Sequence, residues 1–239
     1  MTAIATVGAG YRMGKVKKVL IVVPTSVCAV WPKEFCDYAD FPYTVKVMLG
    51  DRKSRLKALD DLDRFPFHAL KAAVINYEAT WREDIFDRLL AFDADLIIAD
   101  ESQRIKTFDT AQSKAMHQLG DKARNKMILS GTPVQNEAVD IYSQYRFLDP
   151  TVFGQSFYAF RNRYCVMGGF NRKQIVQYRD LDQLVKKEMS VAYRVTKEEA
   201  LDLPEQRNQK AVSKHGPHFG RLRRRTGTWT GYGYCAGRW

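Results

Sequence analysis

The chain has 239 residues, of which 45% are apolar and 27% are charged, and its formal net charge is +11. This composition is that of a packed soluble domain and argues against global disorder. No apolar run approaches the ~18 residues of a membrane span, so no membrane partner is expected. The four cysteines form no C-x-x-C pair, which argues against a disulfide framework or a zinc cluster. Free thiols suit a reducing compartment, and we expect a cytoplasmic protein, associated with the nucleoid if the source is a bacterium or a phage.

The positive charge favours an anionic partner, with nucleic acid first among the candidates. It is unevenly distributed, because eight basic residues and no acidic one follow Glu205. In residues 1–205 the 30 basic residues exceed the 27 acidic ones by only three. After about residue 210, glycines fall among arginines and aromatic residues without periodicity. We therefore expect residues 207–239 to form a basic tail that is disordered or loosely held.

Five short apolar segments predict strands, and the stretches between them carry apolar residues at helical spacing. The strand segments are 18–23, 45–49, 72–75, 95–99 and 126–129. The helical sets are Trp31, Phe35 and Tyr38; Leu56, Leu59 and Leu62; Ile85, Leu89 and Phe92; and Ile141, Tyr145 and Leu148. This alternation predicts an α/β fold with a parallel sheet between helices over residues 1–150. Residues 151–206 are expected to be a mostly helical extension.

The strongest candidate site follows the fourth predicted strand, which ends in Asp100 and Glu101. In parallel sheets, ligand sites collect at the carboxyl ends of the strands. Asp100 could hold a Mg²⁺ that is bound to nucleotide phosphates, and Glu101 could act as general base toward water. The alternative interpretation is that Asp100 caps the next helix and that Glu101 is merely solvated.

Two further strand ends carry short hydroxyl side chains. The residues are Ser130, Gly131 and Thr132 after the fifth strand, and Pro24, Thr25 and Ser26 after the first. The first group could relay hydrogen bonds between a nucleotide site and a nucleic acid, and the second could hold a phosphate at a helix start. Ordinary strand-to-helix turns and helix caps are the alternatives.

In this order, the segments resemble the Swi/Snf family of superfamily-two helicase-like DNA translocases. The matching segments are 19–35, 75–78, 100–106 (DESQRIK, similar to the Walker B box), 129–136 (LSGTPVQN), 147–150 and 194–205. The resemblance implies one RecA-like lobe with appended helices, and ATP hydrolysis that drives movement along double-stranded DNA. ATP and Mg²⁺ would be the cofactors, and a second RecA-like lobe would be a partner.

The resemblance also assigns roles. Asp100 would coordinate Mg²⁺ and Glu101 would activate water. The residues that couple nucleotide state to DNA would be Ser130, Gly131 and Thr132, and those at the DNA backbone would be Pro24, Thr25 and Ser26. Lys33, Arg104 and Lys106 are candidates for extra phosphate contacts, or are surface cations.

Two departures from the family pattern qualify these expectations. The phosphate loop G-x-G-K-T is absent from the 239 residues, and residues 1–5 look like the helix that follows it. Residues 9–16 cannot replace the loop, because Ala9 stands where glycine is needed and Val16 where serine or threonine is needed. No second lobe is recognisable after residue 206. Since an arginine finger alone is worth about 10³–10⁵ in rate, we expect an incomplete first lobe that hydrolyses ATP near background by itself.

Other interpretations remain open. The chain could be a non-catalytic nucleic-acid-binding module that uses its basic tail, whose aromatic residues could stack on bases. The tail could equally be a frame-shifted or truncated end. A dinucleotide-binding enzyme is poorly supported, because Gly8, Gly10 and Gly14 have the wrong spacing. A zinc site is also poorly supported by the set His215, His218 and Cys235.

Overall fold

A computed structural model of the chain describes residues 2–65, 68–131, 137–172, 174–195 and 233–238. Its main sheet contains five parallel strands. They are β1 (Lys18–Val23), β2 (Tyr43–Met48), β3 (Leu70–Asn76), β4 (Leu96–Asp100) and β5 (Asn125–Ser130). All five strands lie where the apolar segments predict them. Their order across the sheet is β2-β3-β1-β4-β5, so the first and fourth strands lie side by side in its centre.

Helices cover both faces of the sheet. They are α1 (Thr2–Arg12), α2 (Val30–Tyr38), α3 (Arg52–Asp63), α4 (Glu83–Phe92), α5 (Ala111–Lys122), α6 (Asp140–Leu148), α7 (Pro150–Phe153), α8 (Phe157–Tyr164) and α9 (Leu181–Met189). The predicted α/β RecA-like fold is thus confirmed. No helix in the described part of the chain is long and apolar enough to cross a membrane.

The side chains of β1 show how the two layers form. Val19, Ile21 and Val23 point to one face and pack in a cluster with residues of α1 and α2. Leu20 and Val22 point to the other face and pack in a cluster with residues of α3 to α6. Successive strand residues face opposite sides, and a strand with helices on both sides therefore needs a continuous apolar run.

Helix α5 lacks a strong sequence signal and was not predicted. Its buried face includes only Ala115, Met116 and Leu119 as larger apolar residues, between polar ones. Thr110 directly precedes the helix, and its hydroxyl accepts a hydrogen bond from the backbone N–H of Ser113 at 3.2 Å. This is an N-cap, which satisfies one of the free N–H groups of the first turn.

The extension from residue 151 is less helical than expected. Besides α8 and α9 it contains an antiparallel hairpin of β6 (Cys165–Gly168) and β7 (Gln174–Tyr178). The backbone turns at Gly169, which has a φ of +71°, a conformation that glycine adopts without steric cost. The expectation of a helical extension was therefore wrong for the hairpin. Residues 196–206 lie outside the described residues.

The described part of the expected tail is a strand. Segment β9 (Gly233–Arg238) pairs antiparallel with β5, and β8 (Ala192–Val195) pairs antiparallel with β9. Within the expected tail, the six described residues are therefore paired into the sheet. The strand satisfies backbone groups of β5 that an open sheet edge would leave unpaired. Residues 207–232, with the candidate zinc residues His215 and His218, lie outside the described residues.

Residues 9–16 do not form a phosphate loop. Residues 9–12 are the last turn of α1, and Val16 is fully buried in the cluster beneath α1 and α2. A Walker-type loop would instead present backbone N–H groups to a phosphate. The sequence argument against this segment is thus confirmed by its conformation.

Candidate nucleotide and nucleic-acid site

Two predicted groups meet at one edge of the sheet. They are the acid pair, Asp100 and Glu101, and Ser130, the first residue of the hydroxyl corner (Ser130, Gly131 and Thr132). In the parallel pairing of β4 with β5, Asp100 is opposite Leu129, so Ser130 is the next residue along. In the pairing of β1 with β4, Val22 is opposite Ala99, and Pro24 follows two residues later. The register therefore brings three of the predicted polar groups together at the carboxyl ends of the central strands.

The carboxylate of Asp100 is held by two donors. Its Oδ2 accepts a hydrogen bond from Trp31 Nε1 at 3.1 Å, and its Oδ1 accepts one from the backbone N–H of Glu101 at 3.0 Å. The hydroxyl of buried Tyr77 donates to the backbone carbonyl of Asp100 at 2.8 Å. Burial raises the pKa of Asp100, with the Glu101 charge acting in the same direction and the bond from Trp31 opposing it. Asp100 is thus a fixed and partly desolvated acid.

A cavity of about 260 Å³ opens beside Asp100. Its lining includes Asp100, Trp31, Leu129 and, from the first turn of α1, Thr2 and Ala3. Carboxylate and hydroxyl oxygens are ligands that Mg²⁺ accepts, and Mg²⁺ keeps several waters and takes its remaining ligands from phosphates. Glu34 also lines the cavity, and the oxygen donors around it, with the Asp100 carboxylate at the strand end, fit a magnesium ion. Within the described residues no group of three or more His, Cys, Asp or Glu side chains forms an all-protein metal site.

The backbone of Glu101 is left-handed, with φ 50° and ψ 54°. One carboxylate oxygen, Oε2, accepts a hydrogen bond from Gln103 Nε2 at 2.7 Å. Gln103 in turn accepts at Oε1 a hydrogen bond from Ser130 Oγ at 2.7 Å. Because a carboxylate can only accept, the amide nitrogen must face Glu101 and the amide oxygen must face Ser130. The three side chains thus form one oriented chain of hydrogen bonds, which we call the Ser130–Gln103–Glu101 chain.

The other two residues of the hydroxyl corner are less informative. Gly131 follows Ser130 directly and is partly buried. Thr132 lies outside the described residues, as do residues 133–136. The turn after β4 has a second anchor, because Ser102 Oγ donates to Gln144 Oε1 of α6 at 2.7 Å. The position of Gln103 is therefore fixed from both sides.

The residues after β1 lie in a short 3₁₀ turn, Thr25–Val27. Pro24 is buried, whereas Thr25 and Ser26 are exposed. Thr25 Oγ1 donates to Glu78 Oε2 at 3.3 Å. Glu78 also accepts from Asn76 Nδ2 at 2.8 Å and lies 3.9 Å from a guanidinium nitrogen of Arg104. The Thr25 hydroxyl is therefore hydrogen-bonded to the Glu78 carboxylate. The neighbouring Ser26 side chain is exposed to solvent.

The three candidate cations differ in their surroundings. Lys33 is exposed on α2. Arg104 is paired with Glu78, and Lys106 Nζ lies 3.6 Å from Asp140 Oδ2. Sequence reasoning assigned no role to Gln103, Glu78 or Trp31, although all three lie in the matching segments. Their position within those segments was the one sequence feature that pointed to them. Their hydrogen-bond partners lie on other elements, so these contacts depend on side-chain geometry that the sequence does not reveal.

The fold and this edge define a class: a RecA-like lobe of the helicase-like type, with an Asp-Glu pair at the end of a central strand. The SNF2-related domain family matches residues 1–214. The chain belongs to this family.

Curated relatives of the chain include proteins of DNA repair and recombination. The chain is 32% identical over 153 residues to DNA repair and recombination protein RAD54 of Oryza sativa subsp. japonica, which is 62% of this chain and 15% of that protein. It is 30% identical over 138 residues to DNA repair and recombination protein RAD54B of Gallus gallus, covering 58% and 14%. The chain thus matches about 15% of the length of such relatives.

Among solved structures, the Sulfolobus solfataricus SWI2/SNF2 ATPase core in complex with dsDNA superimposes with a TM-score of 0.55. The sequence identity is 25%, and the superposition covers 68% of this chain and 31% of that one. The fold of this chain therefore resembles about a third of that ATPase core.

Proposed function

We propose that the chain is the first motor lobe of an ATP-dependent double-stranded DNA translocase of the Swi/Snf type. The observation that carries this proposal is the Ser130–Gln103–Glu101 chain, which joins an acid pair to a hydroxyl at a neighbouring strand end. Membership of the SNF2-related family and the likeness to a SWI2/SNF2 ATPase core support it. The second lobe of the motor would come from elsewhere in the same protein or from another chain.

In this proposal the cavity beside Asp100 receives the phosphates of ATP. Asp100 would hold Mg²⁺, and Thr2 would lie at the same cavity. When bound, the ion neutralises phosphate charge and polarises the transferred phosphoryl group. The protein side supplies a carboxylate with two of its acceptor positions already occupied by Trp31 and Glu101 donors. Its orientation is thereby set before ligands arrive.

Glu101 would act as general base toward the attacking water. Gln103 occupies Oε2 of its carboxylate, which leaves Oε1 to accept a proton from water. A hydrogen bond to one oxygen also fixes the carboxylate plane, and a base must be oriented within hydrogen-bond reach of the proton that it removes. The left-handed backbone at Glu101 ends β4 and begins the turn that carries Gln103.

Ser130 and Gln103 would couple this base to the DNA-binding edge. A shift of the β5 end would move Ser130, and the hydrogen bonds at 2.7 Å would transmit that shift to Glu101. Thr25 and Ser26 lie at the same strand edge, where a DNA phosphate would replace Glu78 as the partner of the Thr25 hydroxyl. Phosphate contacts of this kind position a protein on DNA without reading its sequence.

Nucleotide binding tests the first part of the proposal. We expect weak, Mg²⁺-dependent binding of a fluorescent ATP analogue, since the chain holds no G-x-G-K-T sequence. Asp100→Ala should abolish it. Asp109→Ala is the matched control, because it removes an exposed carboxylate and should leave binding unchanged. Equal binding by wild type and Asp100→Ala would exclude this site.

Hydrolysis by the purified chain should stay near background, with or without duplex DNA. Phosphoryl transfer depends on positioning and charge neutralisation, which a phosphate-loop lysine and an arginine finger largely supply. The matched variant is Glu101→Gln, which keeps the shape of the side chain and removes its basicity. Robust DNA-stimulated turnover that disappears in Glu101→Gln would contradict the expectation of low activity.

DNA binding separates the motor lobe from the alternative, a non-catalytic module that binds through its tail. Duplex affinity is measured by fluorescence anisotropy for Thr25→Ala/Ser26→Ala and for a variant with Arg221, Arg223, Arg224 and Arg225 changed to glutamine. A motor lobe should lose affinity in the first variant and keep most of it in the second. The tail module predicts the reverse, and its salt slope should fall by roughly 0.9 for each phosphate that the tail no longer neutralises.

A further inference from the structure

The indole of Trp31 donates its hydrogen bond to a residue of the candidate site. Trp31 is the second residue of α2 and is only 6% exposed, with Phe35 as its ring neighbour at a centroid distance of 6.5 Å. A buried tryptophan normally finds one acceptor for its N–H group. Here that acceptor is Oδ2 of Asp100, at 3.1 Å. The contact joins the first helix after β1 to the acid at the end of β4.

The chemistry of the indole group limits what this contact can do. The indole nitrogen only donates, so it can neither bind a metal ion nor take up a proton. It uses one acceptor position of Oδ2, while the N–H of Glu101 uses one of Oδ1. Two donors on different oxygens fix the rotation of the carboxylate about its last bond. The remaining lone pairs are available to the cavity, which Trp31 itself helps to line.

We propose that Trp31 is a positioning residue that holds the Asp100 carboxylate in the orientation in which it binds a divalent cation. The inference rests on the proposed function, because it concerns the same cation. Partners of this kind behind metal-binding carboxylates typically contribute 10-fold to 100-fold in metal affinity. The main alternative is that Trp31 is a packing residue whose N–H bond has no effect on the cavity.

The hydrogen bond is tested first without metal, by NMR of the chain labelled with ¹⁵N-tryptophan. The chain has four tryptophans, and the Trp31 indole signal is assigned as the one that Trp31→Phe removes. Asp100→Ala should shift this signal more than the other three, and the control Asp109→Ala should leave it in place. An unmoved Trp31 signal in Asp100→Ala would overturn the inference.

The function of the bond is tested with Mn²⁺ alone as the probe, by electron paramagnetic resonance of the free ion. Trp31→Phe should bind Mn²⁺ 10-fold to 100-fold more weakly than wild type. Trp81→Phe is the matched control, because Trp81 is 45% exposed and makes its ring contact with Arg82 instead. It should bind as wild type does. Equal binding by Trp31→Phe and wild type would overturn the inference.

Misfolding of Trp31→Phe and failure of the proposed metal site can each be told apart from failure of the hydrogen bond. Benzothienylalanine at position 31 replaces the N–H group by sulfur and keeps the ring volume, so it repeats the Mn²⁺ test if Trp31→Phe misfolds. If wild type itself binds no Mn²⁺, the proposed metal site is wrong and the inference falls with it. That failure is distinguishable, because the indole shift in Asp100→Ala would still report the hydrogen bond.

Discussion

Ser130 Oγ donates a hydrogen bond of 2.7 Å to Gln103 Oε1, and this bond ties the end of β5 to the turn after β4. Both residues are partly or fully buried, with Ser130 only 5% exposed. Buried polar groups contribute most when every partner is present. The strength of the Ser130–Gln103–Glu101 chain can therefore be measured by replacing its middle member.

Gln103→Ala should lower the free energy of unfolding by about 1 kcal/mol, the usual contribution of such hydrogen bonds. Gln103→Glu should cost more, because it places a second carboxylate against Glu101, and like charges repel. Urea denaturation at pH 7 in low salt measures both. The control Gln118→Glu adds the same charge on the exposed side of α5. A Gln103→Glu variant as stable as Gln103→Ala would contradict the charge argument.

Asp100→Asn should make the fold more stable at pH 7, by about 0.5–2 kcal/mol, the range common for stabilising substitutions. Burial raises the pKa of Asp100 above 3.8, so the native state favours the protonated acid. Stability therefore falls as pH rises from 3.8 through the raised pKa. The amide removes this cost and its oxygen still accepts the Trp31 hydrogen bond. Its NH₂ group cannot accept from the Glu101 N–H, and the loss of that bond places the gain at the lower end of this range.

Thermal unfolding at pH 7 checks this prediction, and the pH series adds a second test. The advantage of Asp100→Asn over wild type should disappear as pH falls below 3.8. The exposed control, Asp109→Asn, should stay within about 0.5 kcal/mol of wild type. A destabilised Asp100→Asn would show that the acid supports the fold instead of costing it stability.

His117→Gln should make stability less dependent on pH between pH 5 and 7. Burial lowers the pKa of His117 below 6.5, with Arg146 acting in the same direction, and the Ser143 hydrogen bond and Asp121 opposing it. The unfolded chain then binds more protons than the native state between the lowered pKa and 6.5. Stability is thus lost as pH falls through this interval, by at most about 1.4 kcal/mol per pH unit.

Urea denaturation of both proteins at pH 7.5 and pH 5.5 gives the comparison. Wild type should lose more stability than His117→Gln over this change, because glutamine does not titrate. His117 Nε2 lies 3.0 Å from the Ser143 carbonyl oxygen, and the glutamine amide can donate there instead. Parallel losses in the two proteins would show that His117 does not set the pH dependence.

Gly120→Ala should destabilise the chain by about 1–3 kcal/mol, the usual cost of overpacking a core. A Cβ at this position would lie 2.8 Å from Phe147 Cδ2 and 3.0 Å from the Phe147 carbonyl oxygen. The helix-propensity gain of about 1 kcal/mol does not offset a clash with backbone. Thermal unfolding measures the effect, with Gln118→Ala on the exposed side of α5 as the control. An unchanged melting temperature in Gly120→Ala would refute the close contact between α5 and Phe147.

Much of the fold could be predicted because the strands are strongly apolar. The three central strands β1, β3 and β4 are buried on both faces almost throughout, and such apolar runs are conspicuous in a sequence. Helix α5 and the hairpin of β6 and β7 could not be predicted in the same way. The first has a sparse apolar face, and the second is stabilised by pairing with a neighbour instead of by local periodicity.

The sequence was sufficient to predict which strand ends meet at the candidate site. Parallel register places Asp100 beside Leu129 and therefore near Ser130, and this follows from topology alone. The contacts of Trp31, Gln103 and Glu78 could not be foreseen, because they join side chains from separate elements. Such contacts depend on the rotamers of the side chains and on the packing angles of the helices, which leave no periodic trace in a sequence.

The left-handed backbone at Glu101 has a consequence for mutagenesis. Only glycine, asparagine and aspartate adopt this conformation at low cost, and β-branched side chains are poorly tolerated there. A valine or threonine scan at this position would report a distorted turn together with lost chemistry. Isosteric glutamine perturbs the electronic character of the side chain while leaving the peptide geometry alone, so it is the replacement whose phenotype can be read without ambiguity.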